Sequence, residues 1–290
     1  MGGEKINTEH KGGLTTSYNR RDFDIGPQTY RDEYLLQKIF DATRIASLDR
    51  VRIGDFMSGP GKVGLSFRER FPNHNYLFLD LSESQLKVIP SLGGIARIMG
   101  DVRSIPIAEG TLDIVVARYS IKDLQKSEQP YAIHNIKKVL RPGGVFVVAD
   151  MFAPTSSVKE WLNTQHSLKQ ELGGRNIELE GRCHIPIEEE WLQMLRQSGF
   201  EPSISAYHVS RVETVSWVQG KQVTLEQLAI LNHMILTAPQ QVKKEFSIRS
   251  QTHGHWLTRR GLTLEEVREA GNNLKVEIDY PVIIIKAVNT

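Results

Sequence analysis

A chain of 290 residues is long enough for one large domain or two small ones. Hydrophobic residues make up 40% and charged residues 24%, ordinary for a globular protein, and a formal net charge of +2 is too mild to imply a nucleic-acid partner. The single cysteine, Cys183, excludes an internal disulfide and a cysteine-rich metal centre, so no metal is expected. No run of about 18 apolar residues is present to span a membrane, and the opening MGGEKINTEHKGG lacks the apolar core of a signal peptide. The expectation is a cytoplasmic protein.

Residues 1–17 are rich in Gly, Thr and charge and read as an arm that orders only when something ties it down. From 28 to 47, Tyr30, Tyr34, Leu35, Ile39 and Ile45 fall near helical spacing. Short apolar strands are then expected at 51–56, 76–81, 95–99, 112–117 and 145–149, with helices at 62–70 and 131–140 between them. That alternation predicts a parallel sheet wrapped by helices. The runs DIVVA and VFVVAD suit strands buried on both faces.

Beyond Asp150 the pattern changes. A helix is expected over 186–199, with Glu188, Glu189 and Glu190 in its first turn and Gly199 as its stop, and a strand over 203–218. Thr224 with Gln227, and Thr263 with Glu266, form capping boxes for further helices. Leu225, Leu228, Leu231 and Ile235 share one helical face, Pro239 interrupts it, and VEIDYPVIIIKAV closes the chain as a strand.

The most informative stretch is VRIGDFMSGPGKVG, 51–64, in which an apolar strand runs into a turn carrying Gly59, Gly61 and Gly64. Glycines so spaced let the backbone turn sharply and bring amides close to a ligand. G-x-G-x-x-G fits a dinucleotide or S-adenosylmethionine. Asp55 favours the second, because a carboxylate at the strand end would repel a pyrophosphate, whereas S-adenosylmethionine carries a sulfonium and an ammonium. Asp80, in YLFLDLS, is placed to accept from ribose hydroxyls, and Asp101 from an adenine amino group.

DFMSGPGKVG, YLFLDLS, GDVRSIPIAEGTLDIVVARYSIKDL and KKVLRPGGVFVVADMF together resemble the ordered motifs of class I S-adenosylmethionine-dependent methyltransferases, closest in flavour to the small-molecule group that includes quinone-ring C-methyltransferases. The resemblance covers about 51–152. It implies an α/β, Rossmann-like, doubly wound seven-stranded sheet, mostly parallel, with an antiparallel last strand. The implied division is an N-terminal arm and helix over 1–50, a cofactor-binding core over 51–218, a helical insertion over 219–274 and the final core strand over 275–290. It also implies that Gly59 and Gly61 lie beneath the cofactor, that Asp55 acts near its amino end, and that Asp80 and Leu81 hold the ribose. Asp101 and Val102 would hold the adenine, and Arg118 would border the methionine portion and the methyl group. Met57 departs from the family, standing where the turn usually has its first glycine, and its side chain could crowd the methionine tail.

Methyl transfer needs alignment more than acid–base help, so the family has no universal catalytic motif. His166 is the preferred base, in a helix after the fifth strand, with Tyr18 of the arm and Arg118 as further catalytic candidates. Tyr119, Lys122, Asp150, Phe152 and His184 are expected near the acceptor, and Trp161, Trp217, Met234 and Trp256 could build an apolar pocket for it. The implied reaction is methylation of carbon or oxygen in a small, partly apolar metabolite, with no nucleic-acid partner. The insertion reads as a substrate lid or a contact between copies in a homo-oligomer. Two alternatives stand beside it: a non-catalytic S-adenosylmethionine-binding scaffold, and an NAD-dependent oxidoreductase.

Overall fold

The computed structural model describes residues 27–172, 181–214, 225–246, 248–251 and 275–290. Helix α1 (Pro27–Thr43) leads through a single 3-10 turn (Ile45–Ser47) into β1 (Arg52–Phe56). There follow α2 (Lys62–Arg70), β2 (Asn75–Asp80), α3 (Glu83–Lys87), β3 (Ile95–Met99), β4 (Leu112–Arg118), α4 (Gln129–Val139) and β5 (Leu140–Met151). The second half holds α5 (Ser156–Leu172), α6 (Glu188–Gln197), β6 (Phe200–Glu213), α7 (Leu225–Leu236), α8 (Gln240–Glu245), β7 (Ile248–Gln251) and β8 (Lys275–Asn289).

Seven strands form the continuous path β3-β2-β1-β4-β5-β8-β6. Strands β1 to β5 pair in parallel, and β8 slots antiparallel between β5 and β6. The fold is the expected mostly parallel sheet with an antiparallel final strand. Central strands built from Val and Ile are buried on both faces because helices cover both. Leu35, Ile39 and Phe40 of α1 share one apolar core with Val63 and Phe67 of α2 and Ile53 and Ile114 of the sheet. On the other face, Ile133 and Ile136 of α4 meet Trp191 and Leu195 of α6 over Val115, Phe146 and Val148.

Two details differ from the sequence reading. The strand expected over 145–149 begins earlier, with the LRPGG segment opening β5 at Leu140 and a register shift against β4 between Leu112 and Ile114. The glycines there tolerate this irregular pairing, Gly143 taking φ +73°. The insertion is not wholly helical: β7 pairs Ile248–Gln251 with Lys275–Ile278 of β8. Strand β8 is therefore paired along one side by β6, and along the other by β5 over Val282–Val288 and by β7 beyond it. The pair β6–β8 thus overshoots the carboxyl end of β5, giving α5, α7 and α8 a platform on which to build a third apolar core. The helix expected after Thr263 lies outside the described residues. Among those described, no helix is long and apolar enough to cross a membrane.

The chain steps outward from β1 to β2 and β3, then returns to place β4 on the other side of β1. The crevice at this reversal is where open α/β sheets hold ligands. Gly64 fixes its floor. A Cβ there would lie 2.7 Å from Cζ of Phe78 and 3.2 Å from Cβ of Asp55, both held in the core. Gly64→Ala is expected to cost about 1–3 kcal/mol by overpacking, read as a thermal midpoint lowered by about 3–8 °C.

Candidate functional site

At the carboxyl end of β1, Asp55 is buried and accepts a hydrogen bond from the Gly64 amide at 2.8 Å, tying the strand to the first turn of α2. Burial pushes its carboxyl up to about 7, against the pull of the Gly64 amide and the Arg118 charge; Asp80 adds to the rise. The turn between them runs through Met57, Gly59 and Gly61, all with positive φ. At Gly61 a Cβ would fall 2.9 Å from Phe78 and Ile89, so glycine is required by packing. At Gly59 a Cβ would meet nothing nearer than the Gln85 Oε1, 3.9 Å away, so that side of the turn is open.

Asp80 ends β2 and spans this opening. Its Oδ2 accepts from the Gly59 amide and its Oδ1 from the Ser82 amide, each at 2.8 Å. Gln85 sits beside it on α3, buried, with its Oε1 lacking a hydrogen-bond partner among the described residues. Across the crevice, β4 ends in Arg118, whose guanidinium lies 5.1 Å from the Tyr119 ring centroid. Tyr119 itself takes φ +51°, the same as Met57. Two non-glycine residues in the left-handed region thus end the two strands that flank the reversal, a conformation costing on the order of 1 kcal/mol or more each.

Behind Tyr119 lies a buried polar network. Asp150 of β5 is wholly buried and accepts from the amides of Ser120, Lys122 and Met151. The Lys122 ammonium, also buried, donates to the Tyr119 carbonyl at 2.8 Å and to Asp123 at 3.1 Å, with Asp150 at 3.9 Å. Asp123 also takes His166 Nε2 and Gln170 Nε2, both at 3.1 Å. Burial works to raise the Asp123 carboxyl, but Lys122 and His166 hold it well below the usual carboxylate range. Burial pushes His166 down to about 3, helped by the charge of Lys169, so its ring is neutral and points one N–H at Asp123. Its Nδ1 has no hydrogen-bond partner among the described residues.

Residues 53–144 match the Methyltransferase domain family. Among curated proteins, the ubiquinone/menaquinone biosynthesis C-methyltransferase UbiE of Syntrophotalea carbinolica is 28% identical over 166 residues, covering 51% of this chain and 68% of that protein. The malonyl-[acyl-carrier protein] O-methyltransferase of Xylella fastidiosa is 23% identical over 158 residues, covering 51% of this chain and 52% of that protein. The crystal structure of YcgJ from Bacillus subtilis shares the fold with a TM-score of 0.68 at 16% identity, over 87% of this chain and 97% of that one. Residues 53–144 thus carry a methyltransferase domain, and the chain is similar to class I S-adenosylmethionine-dependent methyltransferases.

Here the fold gathers most of the residues singled out from the sequence. Asp55, Met57, Gly59, Gly61, Asp80 and Arg118 surround the carboxyl ends of β1, β2 and β4, with Leu81 half-buried just after Asp80. Met57 packs against the core that contains Phe56 and Val102, and its backbone adopts the left-handed form a glycine would have supplied. Asp101 is engaged by Arg103, through the Arg103 amide at 2.8 Å and its guanidinium at 2.9 and 3.0 Å. The same guanidinium reaches Glu128. Val102 is buried in the core.

Trp161 and Tyr119 both pack against the third core. Met234 is half-buried. His184 faces elsewhere, 3.8 Å from Glu190, and burial pushes it down to about 4. Tyr18, Trp217 and Trp256 lie outside the described residues. Among those described, no group of three His, Cys, Asp or Glu side chains is placed to hold a metal.

Sequence reasoning missed Gln85, Arg103 and Asp123. Arg103 follows Asp101 by two residues, a spacing at which a side chain can fold back in a turn, and that signal was available. Asp123 had none, since His166 and Gln170 come from a distant helix, and Gln85 had none because its burial depends on how α3 packs.

Proposed function

We propose that the chain transfers a methyl group from S-adenosylmethionine to carbon or oxygen of a small, partly apolar acceptor. The observation that carries this reading is the pair of carboxylates, Asp55 and Asp80, at neighbouring strand ends around an open glycine turn. The residues fit the cofactor. Asp80 offers oxygens to a ribose diol, and its bonds to Gly59 and Ser82 hold it in place to do so. Asp55 answers a cationic amino end with its buried carboxyl, and Gly59 leaves room above the backbone. Asp101 and Val102 lie toward the adenine end, with Arg103 fixing the Asp101 carboxylate. The C- and O-methyltransferase names of the relatives support acceptor atoms of those two kinds.

The cofactor supplies a methyl group on a sulfonium: the acceptor's electron pair makes the new bond as the methyl–sulfur bond breaks, leaving S-adenosylhomocysteine. The chain's part is to align the acceptor and exclude water. Tyr119 and Arg118 border the crevice from β4, and α5 covers the carboxyl end of β5. His166, which burial keeps neutral with Asp123 accepting its Nε2–H, steadies the wall behind Tyr119 rather than serving as the base.

Calorimetric titration with S-adenosylhomocysteine tests the reading. Native protein should bind in the micromolar range, on the order of −8 kcal/mol. Asp80→Ala should weaken binding by roughly 100-fold, because a charge-assisted ribose contact and the anchor of the Gly59 amide go together. No binding by the native protein would overturn the assignment.

A further inference from the structure

Beside the open face of Gly59 the fold buries a side chain whose acceptor is left unmet. Gln85 is the third residue of α3 and only 5% exposed. Its amide N–H reaches the Ser82 hydroxyl at 3.4 Å, which holds this short helix against the end of β2. The side chain turns toward the glycine turn. A Cβ built at Gly59 would meet the Gln85 Oε1 first, 3.9 Å away, so the space over Gly59 is open as far as that oxygen. Oε1 itself has no hydrogen-bond partner among the described residues.

A buried acceptor without a partner is costly, and methionine or leucine would occupy the position without that penalty. The carboxylates nearby differ from Gln85 in being engaged already. Asp80 holds the amides of Gly59 and Ser82, one on each oxygen. Asp101 receives the Arg103 amide and guanidinium across both of its oxygens. Gln85 therefore brings to the crevice an oxygen that asks for a donor from outside the described chain. Being neutral, it suits a hydroxyl better than a cation.

We propose that Gln85 reads the cofactor's ribose together with Asp80, its Oε1 accepting from one hydroxyl of the diol while the carboxylate takes the other. With both hydroxyls on Asp80, the Gln85 oxygen would be sealed beneath the ligand without a partner. Dividing the diol answers both side chains. The inference rests on the cofactor reading above, and it adds a residue that tells a ribonucleoside from a deoxy one.

Calorimetry with S-adenosylhomocysteine and its 2′-deoxy and 3′-deoxy analogues tests it. Gln85→Met keeps the size of the side chain and removes the oxygen. The variant should bind S-adenosylhomocysteine more weakly, on the order of tenfold. It should match the native protein on the analogue that lacks the hydroxyl Gln85 reads. S-Inosylhomocysteine keeps the diol but lacks the adenine amino group, and should suffer the full loss. Free of ligand, the variant should melt at or above the native temperature, since it buries no unmet acceptor.

A penalty that vanishes with either deoxy analogue and persists with the inosyl ligand supports the contact. An undiminished penalty on both deoxy analogues, one that vanishes with the inosyl ligand, or none on S-adenosylhomocysteine overturns it. Should Gln85→Met fail to fold, Gln85→Leu makes the same comparison. Failure of the native protein to bind S-adenosylhomocysteine overturns the parent reading instead, so the two failures are told apart.

Discussion

S-Adenosylhomocysteine should bind about 25-fold more tightly at pH 7.5 than at pH 5.5. The free protein holds a proton on Asp55 up to about 7, because burial outweighs the help it receives from Gly64 and Arg118. A ligand ammonium placed against that carboxyl favours the charged form, so binding must first release the proton. At pH 5.5 only about 3% of Asp55 is ionised, against roughly three quarters at pH 7.5, and that ratio sets the expected change. Calorimetry in buffers of different ionisation enthalpy should record close to one proton released at pH 6. Asp55→Asn should flatten the profile.

The same group acts on stability. Between the ordinary carboxylate value and about 7, the folded chain holds a proton that the unfolded chain has lost, so stability falls as pH rises through that window. The full effect amounts to about 4 kcal/mol at most. Asp55→Asn should therefore melt higher than the native protein at pH 8 while differing little at pH 4. A pH-independent affinity would show that the ligand cation does not meet Asp55.

Lys122→Met should destabilise the fold by about 3–5 kcal/mol, the usual cost of breaking a buried ion pair and leaving its partner behind. The lysine head is 5% exposed and faces Asp123 and Asp150, the latter wholly buried. Burial already pushes the Asp150 carboxyl up, with Asp123 adding to the rise and Lys122 opposing it. Without the cation, Asp150 should hold its proton to higher pH, and the variant should lose still more stability as pH rises. The thermal midpoint at pH 7 should fall by about 6–20 °C. Adding Asp123→Asn should restore part of that loss by removing the second uncompensated carboxylate. A drop within 2 °C would mean that the backbone amides around Asp150 suffice to hold it charged.

The parts legible in the sequence were those whose physics is local. Continuous Val and Ile runs can bury both faces only in a central strand, so β4 and β5 were plain. The glycine turn after β1 was legible because backbone at positive φ and close packing both demand glycine, as Gly61 and Gly64 confirm in space. Met57 was visible as a departure from pattern, but not that its backbone would take φ +51° and keep the turn's shape. Asp101 was legible as an acid at a strand end, and the spacing of Arg103 two residues on offered its partner, whereas the reach of that guanidinium to Glu128 depends on tertiary packing.

Composition, hydrophobic period and the order of four motifs determined the architecture and the resemblance to methyltransferases, because these depend on residues close together in the chain. Tertiary structure alone decided the rest. Asp123 meets His166 across 43 positions and Tyr280 meets Gln165 across 115, and no local pattern encodes either pairing. The extra length of β8 and β6 beyond β5 was equally hidden, yet it creates the third core. An orphaned amide exists only once burial has removed water from it. The unmet acceptor of Gln85 therefore became visible only when the helix carrying it had packed.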